Sequence, residues 1–561
     1  MATQAYDLGS PRRGRGGDPG MNPGFRSTIF APSYAFAAVC ALVVGSISAC
    51  GGNPPQIVDY SPVRGAIDVS TAAPIRITFD HDVDQQSIES RLHLQPATNG
   101  NLVWVNPRQL AYQHPTLAPS STYEVVLEAG YKDPAGNTAV LRHHWSFVTE
   151  GPPAFAGSTP ANGDTGVDPA AYLTVDFTRD MNGPSLQQAI SISPPVPFTV
   201  RLNPTDGRRA VIAPATLLEP STAYTISVTS TALDADGNRL SADQGIAFTT
   251  GPIRPLHNWI AFATANADGT SGPLWMVNES GFPRKLYDGS SVRSFSWSPE
   301  GDTLLLQSDG GTWSVLTPGQ DPKALGFKAA WAAALGSGMG YVFIDDAGAL
   351  HRLSSNGVDS VISAAVTQVT VSPDGARLAF VEVGSQSSVI WGYDVGIQAR
   401  YELAVENGQI SDATWAPAGN RIAYLRHDVS VTTLKVRNLS GAATTNTIAS
   451  ASEIGAPAWL PDSVHLVFAA AVPTTTGTLQ KAFVVSAIAP PTALTSALGL
   501  PADPSIAVTS PVPSPDGHQI AFLNGRQVWL MNGDGSRPTP LTTFDATSFP
   551  YSCRTPAWTR A

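Results

Sequence analysis

Short runs of alternating apolar and polar residues dominate the chain between residues 54 and 251. In one run, Tyr224, Ile226 and Val228 are apolar and the residues between them are Thr and Ser. A period of two places alternate side chains on opposite faces of a β-strand, with one face buried and one in water. The pattern predicts an all-β fold built from short, half-buried strands.

The same pattern occurs twice in this part of the chain. Phe79 in IRITFDHDV matches Phe177 in LTVDFTRDM, 98 residues later. Tyr123 in LAPSSTYEVVL matches Tyr224 in LEPSTAYTISV, 101 residues later, so a three-residue insertion separates the two blocks. Copies of about a hundred residues with many short strands predict two tandem β-sandwiches. We place them at residues 54–151 and 152–251.

Four shared features of the two copies resemble the SbsA-type bacterial Ig-like domain. They are the strand ending in Phe, the Leu-x-Pro-(Ser/Thr)-x-x-Tyr segment, the Gly-Asn turn and the closing Phe-x-Thr. The resemblance covers both copies nearly end to end. It implies that the two domains act as spacers or adhesive modules at a bacterial cell surface.

A different repeat follows the linker GPIRPLH. Its segments begin with a Trp-Ser-Pro-like start, and successive starts are 34, 40, 44, 44, 54 and 45 residues apart. A period near 40–45 residues with a Trp, a Pro-Asp-Gly-type turn and short strands predicts the blades of a β-propeller. The seven starts are Trp297, Trp331, Val371, Trp415, Trp459, Pro513 and Trp558.

The last start lies almost at the C-terminus, where no strand of its own follows. Conversely, the strand Trp259-Ile-Ala-Phe262 at the front of the region has no start. We therefore expect TPAWT, which contains Trp558, to supply the innermost strand of a blade whose other strands come from residues 258–290. Pairing of the two ends would close a seven-bladed ring over residues 252–561 and remove its exposed strand edges.

The repeated sequence motif resembles the WD40-like PD40 repeat found in TolB-type periplasmic proteins and in propellers of prolyl-oligopeptidase-type enzymes. It reads Ser-Pro-Asp-Gly-x-x-(Ile/Leu)-Ala-Phe, then (Leu/Val)-Trp-x-Met-Asn, then Leu-Thr. The blade that starts at Trp331 lacks the turn motif, and the blade from Trp459 carries extra length in residues 471–510, which predicts a projecting loop. Because the Trp residues recur in register, we expect them to pack between sheets.

Residues 1–49 have the pattern of a secretory signal peptide. Arg26 precedes an apolar run over residues 35–44, which is short for a membrane span and is followed by small residues. Met21 is an alternative start that would shorten the segment before this run.

The segment ends in the residues Ile47, Ser48, Ala49, Cys50 and Gly51. This ending resembles the lipobox of bacterial lipoproteins. The resemblance implies removal of residues 1–49, a lipid on Cys50 and a tether over residues 50–53. The protein would then be exported and lipid-anchored in the bacterial cell envelope, in the outer membrane and periplasm or at the cell surface.

Composition and charge narrow the class of partner. The chain has 50 Gly and 47 Pro, as suits a turn-rich β protein, and a net charge of −11 at pH 7. Since binding to phosphate backbones requires a basic face, we expect no nucleic-acid partner. With Cys50 acylated and Cys40 removed, Cys553 would have no disulfide partner.

Few residues suggest chemistry. The chain has no Gly-x-Ser-x-Gly, His-Glu-x-x-His, paired-Cys or Gly-rich phosphate motif, so we predict no cofactor, metal or catalytic residue. The neighbours His143 and His144 should point to opposite faces of a strand and make poor joint ligands. Cys553 is isolated, with no recognisable base partner.

Two acidic clusters resemble fragments of calcium loops, but neither has a bidentate Glu at the required distance. We interpret both as polar turns and leave calcium binding open. The acidic and amide residues are Asp80, Asp82 and Asp84 in the first copy and Asp234, Asp236 and Asn238 in the second.

The combined prediction is an anchored protein that presents a propeller as a binding or scaffold module, with an envelope protein as partner. The alternatives are a carbohydrate- or peptidoglycan-binding protein, which would need exposed aromatic residues on axial loops, and a hydrolase or lyase. The last would need acidic or His residues gathered at the propeller mouth.

Overall fold

The structure is a computed structural model that describes residues 52–559, apart from residues 204, 290, 442, 475, 476, 547 and 548. The predicted signal peptide and the lipobox residues Ile47, Ser48, Ala49 and Cys50 lie outside the described residues. Within the described part of the chain, strands dominate, and no helix combines the length and apolarity needed to cross a bilayer.

The first copy of the duplication is a sandwich of two antiparallel sheets. One sheet has the order β1-β2-β5-β4 and the other β3-β6-β7. Ile75, Ile77 and Phe79 of β2 are buried in the core between the sheets, as the period of two predicts. The elements are β1 (Ile57–Ser61), β2 (Ile75–Phe79), helix α1 (Gln85–Glu89), β3 (Leu92–Gln95), β4 (Asn101–Asn106), β5 (Gln109–Gln113), β6 (Thr122–Leu127) and β7 (His143–Val148).

The second copy repeats this architecture with sheets β11-β12-β9-β8 and β10-β13-β14. Leu173, Val175 and Phe177 of β9 take the positions that the β2 residues take in the first copy. The elements are β8 (Phe155–Thr159), β9 (Leu173–Phe177), helix α2 (Gly183–Ala189), β10 (Ile190–Ser193), β11 (Phe198–Asn203), β12 (Asp206–Pro214), β13 (Ala223–Val228) and β14 (Gln244–Thr249).

The repeated Tyr and Thr of the two copies hold one loop in place. The Tyr123 hydroxyl accepts the Ala118 N–H at 3.0 Å, and the Thr149 hydroxyl donates to the Ala118 carbonyl at 2.7 Å. Tyr224 and Thr250 bind the second copy's loop through the matching backbone groups. The motif therefore fixes the position of the loop that leads into the sixth strand of each domain.

Seven antiparallel sheets follow in chain order within the described part of residues 258–559. The first four use β15 (Ile260–Ala265), β16 (Ser271–Val277) and β17 (Arg284–Tyr287); β18 (Val292–Trp297), β19 (Leu304–Ser308), β20 (Thr312–Leu316) and β21 (Lys323–Lys328); β22 (Trp331–Ala334), β23 (Tyr341–Ile344), β24 (Leu350–Leu353) and β25 (Asp359–Ser363); and β26 (Gln368–Val371), β27 (Arg377–Val383), β28 (Ser387–Asp394) and β29 (Ala399–Asn407). The last three use β30 (Gln409–Trp415), β31 (Arg421–His427), β32 (Thr432–Asn438) and β33 (Thr445–Ala451); β34 (Ala458–Trp459), β35 (His465–Thr474) and β36 (Gly477–Ser486); and β37 (Thr509–Pro513), β38 (Gln519–Asn524), β39 (Gln527–Asn532) and β40 (Thr539–Pro540).

The final strand, β41 (Ser552–Trp558), belongs to the first sheet rather than the seventh. It pairs antiparallel with β15, so that Ile260 lies opposite Trp558 and Thr264 opposite Cys553. The order of this sheet is β17-β16-β15-β41, and the other first strands are likewise edge strands of their sheets. The C-terminal strand therefore pairs with the first strand of the region.

The sixth sheet carries the extra length that the sequence indicates. Part of it lies in β35 and β36, which have ten residues each. A short 3-10 turn, Ser496–Leu498, follows. The buried Lys481 ammonium group then donates to the carbonyl oxygens of Pro501 at 2.8 Å and Ile506 at 2.9 Å. Residues 500–506 are thereby held against the sheet, so the extra length is only partly a projecting loop.

The second Ig-like copy shares a core with the first of the seven sheets. Arg284 on β17 is fully buried and donates to the carbonyl oxygens of Ala170 and Ala171, both at 2.8 Å. Its guanidinium lies over the Tyr172 ring, 4.1 Å from the centroid. Two charge-assisted hydrogen bonds and a cation–π contact offset the cost of burying the charge. Burial also lowers the pKa of Arg284 to about 10.

Candidate binding site

One edge strand from each of six sheets leads to one cavity of about 530 Å³, which we call the axial mouth. Five of these are the first strands of their sheets, and the sixth is β41 of the first sheet. Convergence of these edge strands on one cavity is the arrangement expected when they are innermost in a ring of sheets. Its lining residues are Pro299, Thr370, Val371, Pro373, Thr414, Trp415, Pro417, Pro457, Ala458, Trp459, Pro461, Val512, Pro513, Ser514, Pro515, Ala557, Trp558 and Thr559.

The Ser-Pro-Asp-Gly turns place the prolines in this mouth. In the seventh sheet the Ser514 carbonyl accepts the Gly517 N–H at 2.9 Å, and the Ser514 hydroxyl binds both the Gln519 N–H and the Asp516 carboxylate. This hydrogen bond from Ser514 holds the pKa of the Asp516 carboxyl below its usual range. Gly517 has a φ of 76°, which favours glycine. Ser, Asp and Gly thus build the turn, and the intervening Pro515 lines the axial mouth.

The third sheet departs from this pattern, and the predicted start at Trp331 is wrong by three residues. Ala334, not Trp331, pairs with the residue seven positions later, as Trp297 does in the second sheet. Gly336 stands where the other turns have proline, and its N–H donates to the Gly375 carbonyl of the fourth sheet at 3.1 Å. A Cβ on Gly336 would lie 2.7 Å from the Asp374 carbonyl oxygen. The close approach of two backbones explains why this turn has glycine and contributes no proline to the mouth.

Trp297, Trp415, Trp459 and Trp558 are buried, which confirms their predicted packing role, whereas Trp331 is only partly buried. Trp415 packs with residues of the fourth sheet, Trp459 with the fifth and Trp558 with the seventh. Each indole therefore fills the space between its own sheet and the preceding one. Because the same residues border the axial mouth, they also support its prolines.

The lining of the axial mouth carries no charged side chain and no histidine among its described residues. Pro417, Pro461 and Pro515 are exposed, and Val371 and Val512 are half-buried. Each edge strand that leads to the mouth is paired on one side only within its sheet, which leaves backbone donors and acceptors along its other edge. The mouth thus offers apolar contact area with backbone hydrogen-bonding groups, a combination typical of binding sites.

The acidic residues of the first copy do not converge. Asp82 pairs with Arg108 at 2.7 Å. Asp84 caps the N-terminus of α1 by accepting the Ser87 N–H. Asp80 instead accepts a backbone N–H from the start of the domain at 2.9 Å. The three carboxylates therefore have separate structural partners, in agreement with their interpretation as polar turn residues.

The acidic turn of the second copy is closed on itself. Asp234 accepts the N–H groups of Asp236 at 3.0 Å and Asn238 at 2.7 Å, and its other oxygen accepts the Asn238 side-chain amide at 2.9 Å. These bonds agree with a structural role for the Asp234 carboxylate. Among the described residues, no group of three or more His, Cys, Asp and Glu side chains is arranged to hold a metal ion.

This turn lies at the junction of the two Ig-like copies, a site that the sequence does not reveal. The buried Glu150 accepts from the Asn238 amide at 3.1 Å and from Arg179 at 2.7 Å, and Arg179 also pairs with Asp68. Glu150, Arg179 and Asp68 border a cavity of about 720 Å³. Burial, with the neighbouring Asp236, raises the pKa of Glu150.

The other candidate residues lie apart. His144 pairs with Glu124 at 2.6 Å, whereas His143 lies against the Tyr131 ring, so the two imidazoles face different surroundings as predicted. Burial lowers the pKa of His143. Cys553 is buried in β41, and burial raises the pKa of its thiol to about 11.

One Ser–His contact was missed by the sequence reasoning because it joins two strands of one sheet. The Ser411 hydroxyl lies 2.7 Å from His427 Nε2 and 2.6 Å from the Asp412 carboxylate. His427 Nδ1 lies 3.1 Å from the Thr432 hydroxyl rather than a carboxylate. Without a carboxylate to orient the imidazole, the pair lacks the third member of a hydrolytic triad.

Comparison with known families agrees with the architecture of the N-terminal half. Residues 52–149 and 150–250 each match the family described as bacterial Ig-like domain. The chain therefore carries two tandem bacterial Ig-like domains. No curated protein matches the sequence.

Several solved β-propeller structures resemble the chain at low identity. TolB from Acinetobacter baumannii has 12% identity and a TM-score of 0.34, with 66% of this chain and 83% of that chain covered. Oligogalacturonate lyase from Vibrio parahaemolyticus has 9% identity and a TM-score of 0.34, with coverages of 52% and 88%. The β-propeller domain of Cps50 (Swd1) from Myceliophteria thermophila has 13% identity and a TM-score of 0.34, with coverages of 47% and 93%. At these values the likenesses assign neither a ligand nor an activity.

Antiparallel sheets that follow one another along the chain and share one cavity are typical of a β-propeller architecture. The class of protein is thus an all-β chain with two Ig-like domains followed by a β-propeller.

Proposed function

We propose that the protein is a lipid-anchored lipoprotein of the bacterial envelope that binds a protein partner at the axial mouth of its propeller. The observation that carries the proposal is the lining of this mouth, whose described residues combine exposed prolines, supporting tryptophans and strand edges and include no charged side chain. Such a surface suits an uncharged, extended segment of a partner, which would bury apolar side chains and hydrogen-bond through its backbone.

The propeller in this proposal is a closed ring of seven blades over residues 252–561. The pairing of β41 with β15 supports the closure, since it joins the last strand to the first. The arrangement of edge strands from six sheets at one cavity supports the ring. A closed ring leaves no unpaired blade at its seam and gives the mouth a fixed shape.

The remaining parts would position this ring. A lipid on Cys50 and a tether over residues 50–53 would hold the chain to the membrane, and Ig-like domains over residues 54–151 and 152–251 would act as spacers. The buried Arg284 contact supports a rigid connection between the second spacer and the propeller. The mouth would then be presented to its partner at a defined distance and orientation.

A non-catalytic role is proposed because the described residues that line the mouth include no Asp, Glu or His to act as acid or base. Carbohydrate or peptidoglycan binding is the alternative. The tryptophans of the mouth argue for protein binding over this alternative. Trp415, Trp459 and Trp558 are packed between sheets and do not present open ring faces on which a sugar could stack.

Crosslinked capture from solubilised envelope with the full chain as bait tests the proposal. The double variant Pro461→Glu with Pro515→Glu adds charge to the mouth, and Pro490→Glu adds charge to an exposed loop outside it as the matched control. We expect one protein to be recovered by the wild type and the control and lost with the double variant.

Equal recovery with the mouth variant would show that the partner binds elsewhere. Recovery of peptidoglycan fragments in place of a protein, again lost with the mouth variant, would favour the carbohydrate alternative. Correct folding of the variants is checked by their thermal unfolding, which should match that of the wild type.

A further inference from the structure

Two adjacent apolar residues of the first Ig-like domain project into solvent. Val140 is 81% exposed and Leu141 is 67% exposed. The preceding Ala139 is buried, and its N–H donates to the Tyr131 carbonyl at 2.8 Å. The pair therefore stands on a backbone segment that is fixed to the domain. Exposed apolar residues that are held together in this way are typical of an interaction surface.

The duplication supplies an internal reference for this pair. At the spacing that relates Tyr123 to Tyr224, the matching residues of the second copy are Ser241 and Ala242. Both are exposed as well, but one is polar and the other small. Packing within the domain therefore does not require Val and Leu here, because the same backbone segment is built without them.

The second copy also shows what this end of the domain faces. The Ser241 N–H donates to the Pro153 carbonyl at 2.9 Å, at the point where the chain enters the domain. The adjacent turn contacts the preceding domain, since the Thr116 hydroxyl donates to the Asp236 carbonyl at 3.1 Å. In the second copy this end is thus directed at whatever precedes the domain. In the first copy the matching point of chain entry is Pro55.

We infer that Val140 and Leu141 insert into the interfacial layer of the bilayer that holds the lipid on Cys50. This inference rests on the proposed lipid anchor. Pro55 lies five positions after Cys50, so an extended tether spans at most about 18 Å, and this end of the domain stays close to the membrane. Insertion of the pair would give the anchored protein a second membrane contact and restrict its tilt.

The charges at this end favour apolar insertion over attraction to anionic lipid. Arg142 follows the pair, but it lies 3.2 Å from the Glu128 carboxylate. Asp80, Asp84 and Asp133 lie at the same end of the domain, where Asp84 and Asp133 contact Lys132 and His81. Since the carboxylates match or exceed the cations, we expect insertion to depend little on the fraction of anionic lipid.

The test uses the full chain reconstituted into vesicles of phosphatidylethanolamine with a minor fraction of phosphatidylglycerol. An environment-sensitive nitrobenzoxadiazole label is placed on Leu141→Cys, with Ala242→Cys as the matched control in the second copy. We expect the label at residue 141 to shift its emission to shorter wavelength and to be quenched by spin-labelled lipid. The label at residue 242 should keep its emission in water. An unshifted, unquenched label at residue 141 would overturn the inference.

Flotation of the vesicles with wild type and with Cys50→Ser tests the anchor separately. If Cys50→Ser floats as well as the wild type, the proposed anchor fails. The label is then measured on protein held to chelating lipid through an added N-terminal His tag. The double variant Val140→Ser with Leu141→Ala transfers the second copy's residues. It should fold normally and increase the rate at which the tethered domain tumbles, and an unchanged rate would also count against insertion.

Discussion

The indole N–H of Trp558 donates to the carbonyl oxygen of Val512 at 3.1 Å. Trp459 makes the matching bond to the Thr414 carbonyl at 3.2 Å. Each bond joins the repeated tryptophan of one sheet to an edge strand of a neighbouring sheet, β37 for Trp558 and β30 for Trp459. The repeated tryptophan therefore links neighbouring sheets in two ways: its indole N–H forms a hydrogen bond between them, and its ring fills apolar space in their interface.

Truncation of Trp558 should destabilise the propeller at the junction of its two ends. We expect Trp558→Ala to lower the free energy of unfolding by about 3–5 kcal/mol, because it opens a cavity between the first and seventh sheets. Trp558→Phe should cost less, since it keeps most of the apolar area and loses one hydrogen bond. Urea unfolding followed by tryptophan fluorescence measures both. Trp104→Phe, in the first Ig-like domain, is the control and should leave the propeller transition unchanged.

Replacement of Arg284 should uncouple the propeller from the second Ig-like domain. Arg284→Met leaves the carbonyls of Ala170 and Ala171 without their buried donor, at a cost of about 1–3 kcal/mol for each. We expect calorimetry to show separate transitions for the two domains and thermolysin, which cuts before apolar residues such as Ile253, to cut the linker over residues 251–257 faster. Arg254→Met removes an exposed cation from the same linker and should leave both measurements unchanged. A single unaltered transition in Arg284→Met would contradict a coupling role.

The repeat pattern was sufficient to predict the strands and the packing of the tryptophans. The alternating residues Tyr224, Ile226 and Val228, for example, lie in β13, and the predicted strand Trp259-Ile-Ala-Phe262 corresponds to the start of β15 at Ile260. Such features are local, because a strand's period and its turn residues are set by neighbouring positions. The two Ig-like domains could be predicted for the same reason, since each motif residue fastens a nearby loop.

The sites between repeats and domains could not be predicted in this way. The prolines of the axial mouth come from different repeats, and only the arrangement of the sheets brings them together. Glu150 and Arg179 form an ion pair although they belong to different copies. Arg284 is fully buried, although arginine is a residue type that usually lies at the protein surface. A sequence pattern describes each side chain's own strand, whereas these contacts depend on how separate units dock.

The junction of the two Ig-like domains should weaken as pH rises from mildly acidic values. The pKa of Glu150 is raised in the folded protein by burial, so the folded state retains a proton that the unfolded state loses. The stability from this group is present below the unfolded pKa of about 4.5 and is lost as pH rises through the folded pKa. Unfolding midpoints of the Ig-like domains between about pH 4.5 and pH 7 measure the effect. Glu150→Gln should flatten this dependence, whereas the exposed control Glu219→Gln should retain it.

Proline in place of Gly336, in the turn of the third sheet, should lower the stability of the propeller. Gly336→Pro removes the N–H that donates to Gly375 and places atoms against the Asp374 carbonyl. We expect a loss of about 2–4 kcal/mol from overpacking and the missing hydrogen bond, measured by urea unfolding. Gly310→Ala is the control, because its new Cβ would meet its nearest neighbour at an ordinary 3.7 Å. A stabilised Gly336→Pro would contradict the close backbone approach.

Cys553 should report on opening of the strand that joins the two ends of the propeller. Because burial raises the pKa of its thiol to about 11, the folded protein holds very little thiolate at pH 8. We expect iodoacetamide to modify Cys553 only after unfolding, in protein whose Cys50 is acylated or replaced. Arg554→Cys places an exposed thiol on the same strand as the reference and should react in the folded state. The stability from the protonated thiol should fall as pH rises from about 9 towards 11, since the unfolded chain loses this proton first. Equal reaction rates for the two thiols in the folded protein would mean that β41 leaves the first sheet readily, and the proposed closure would lose its support.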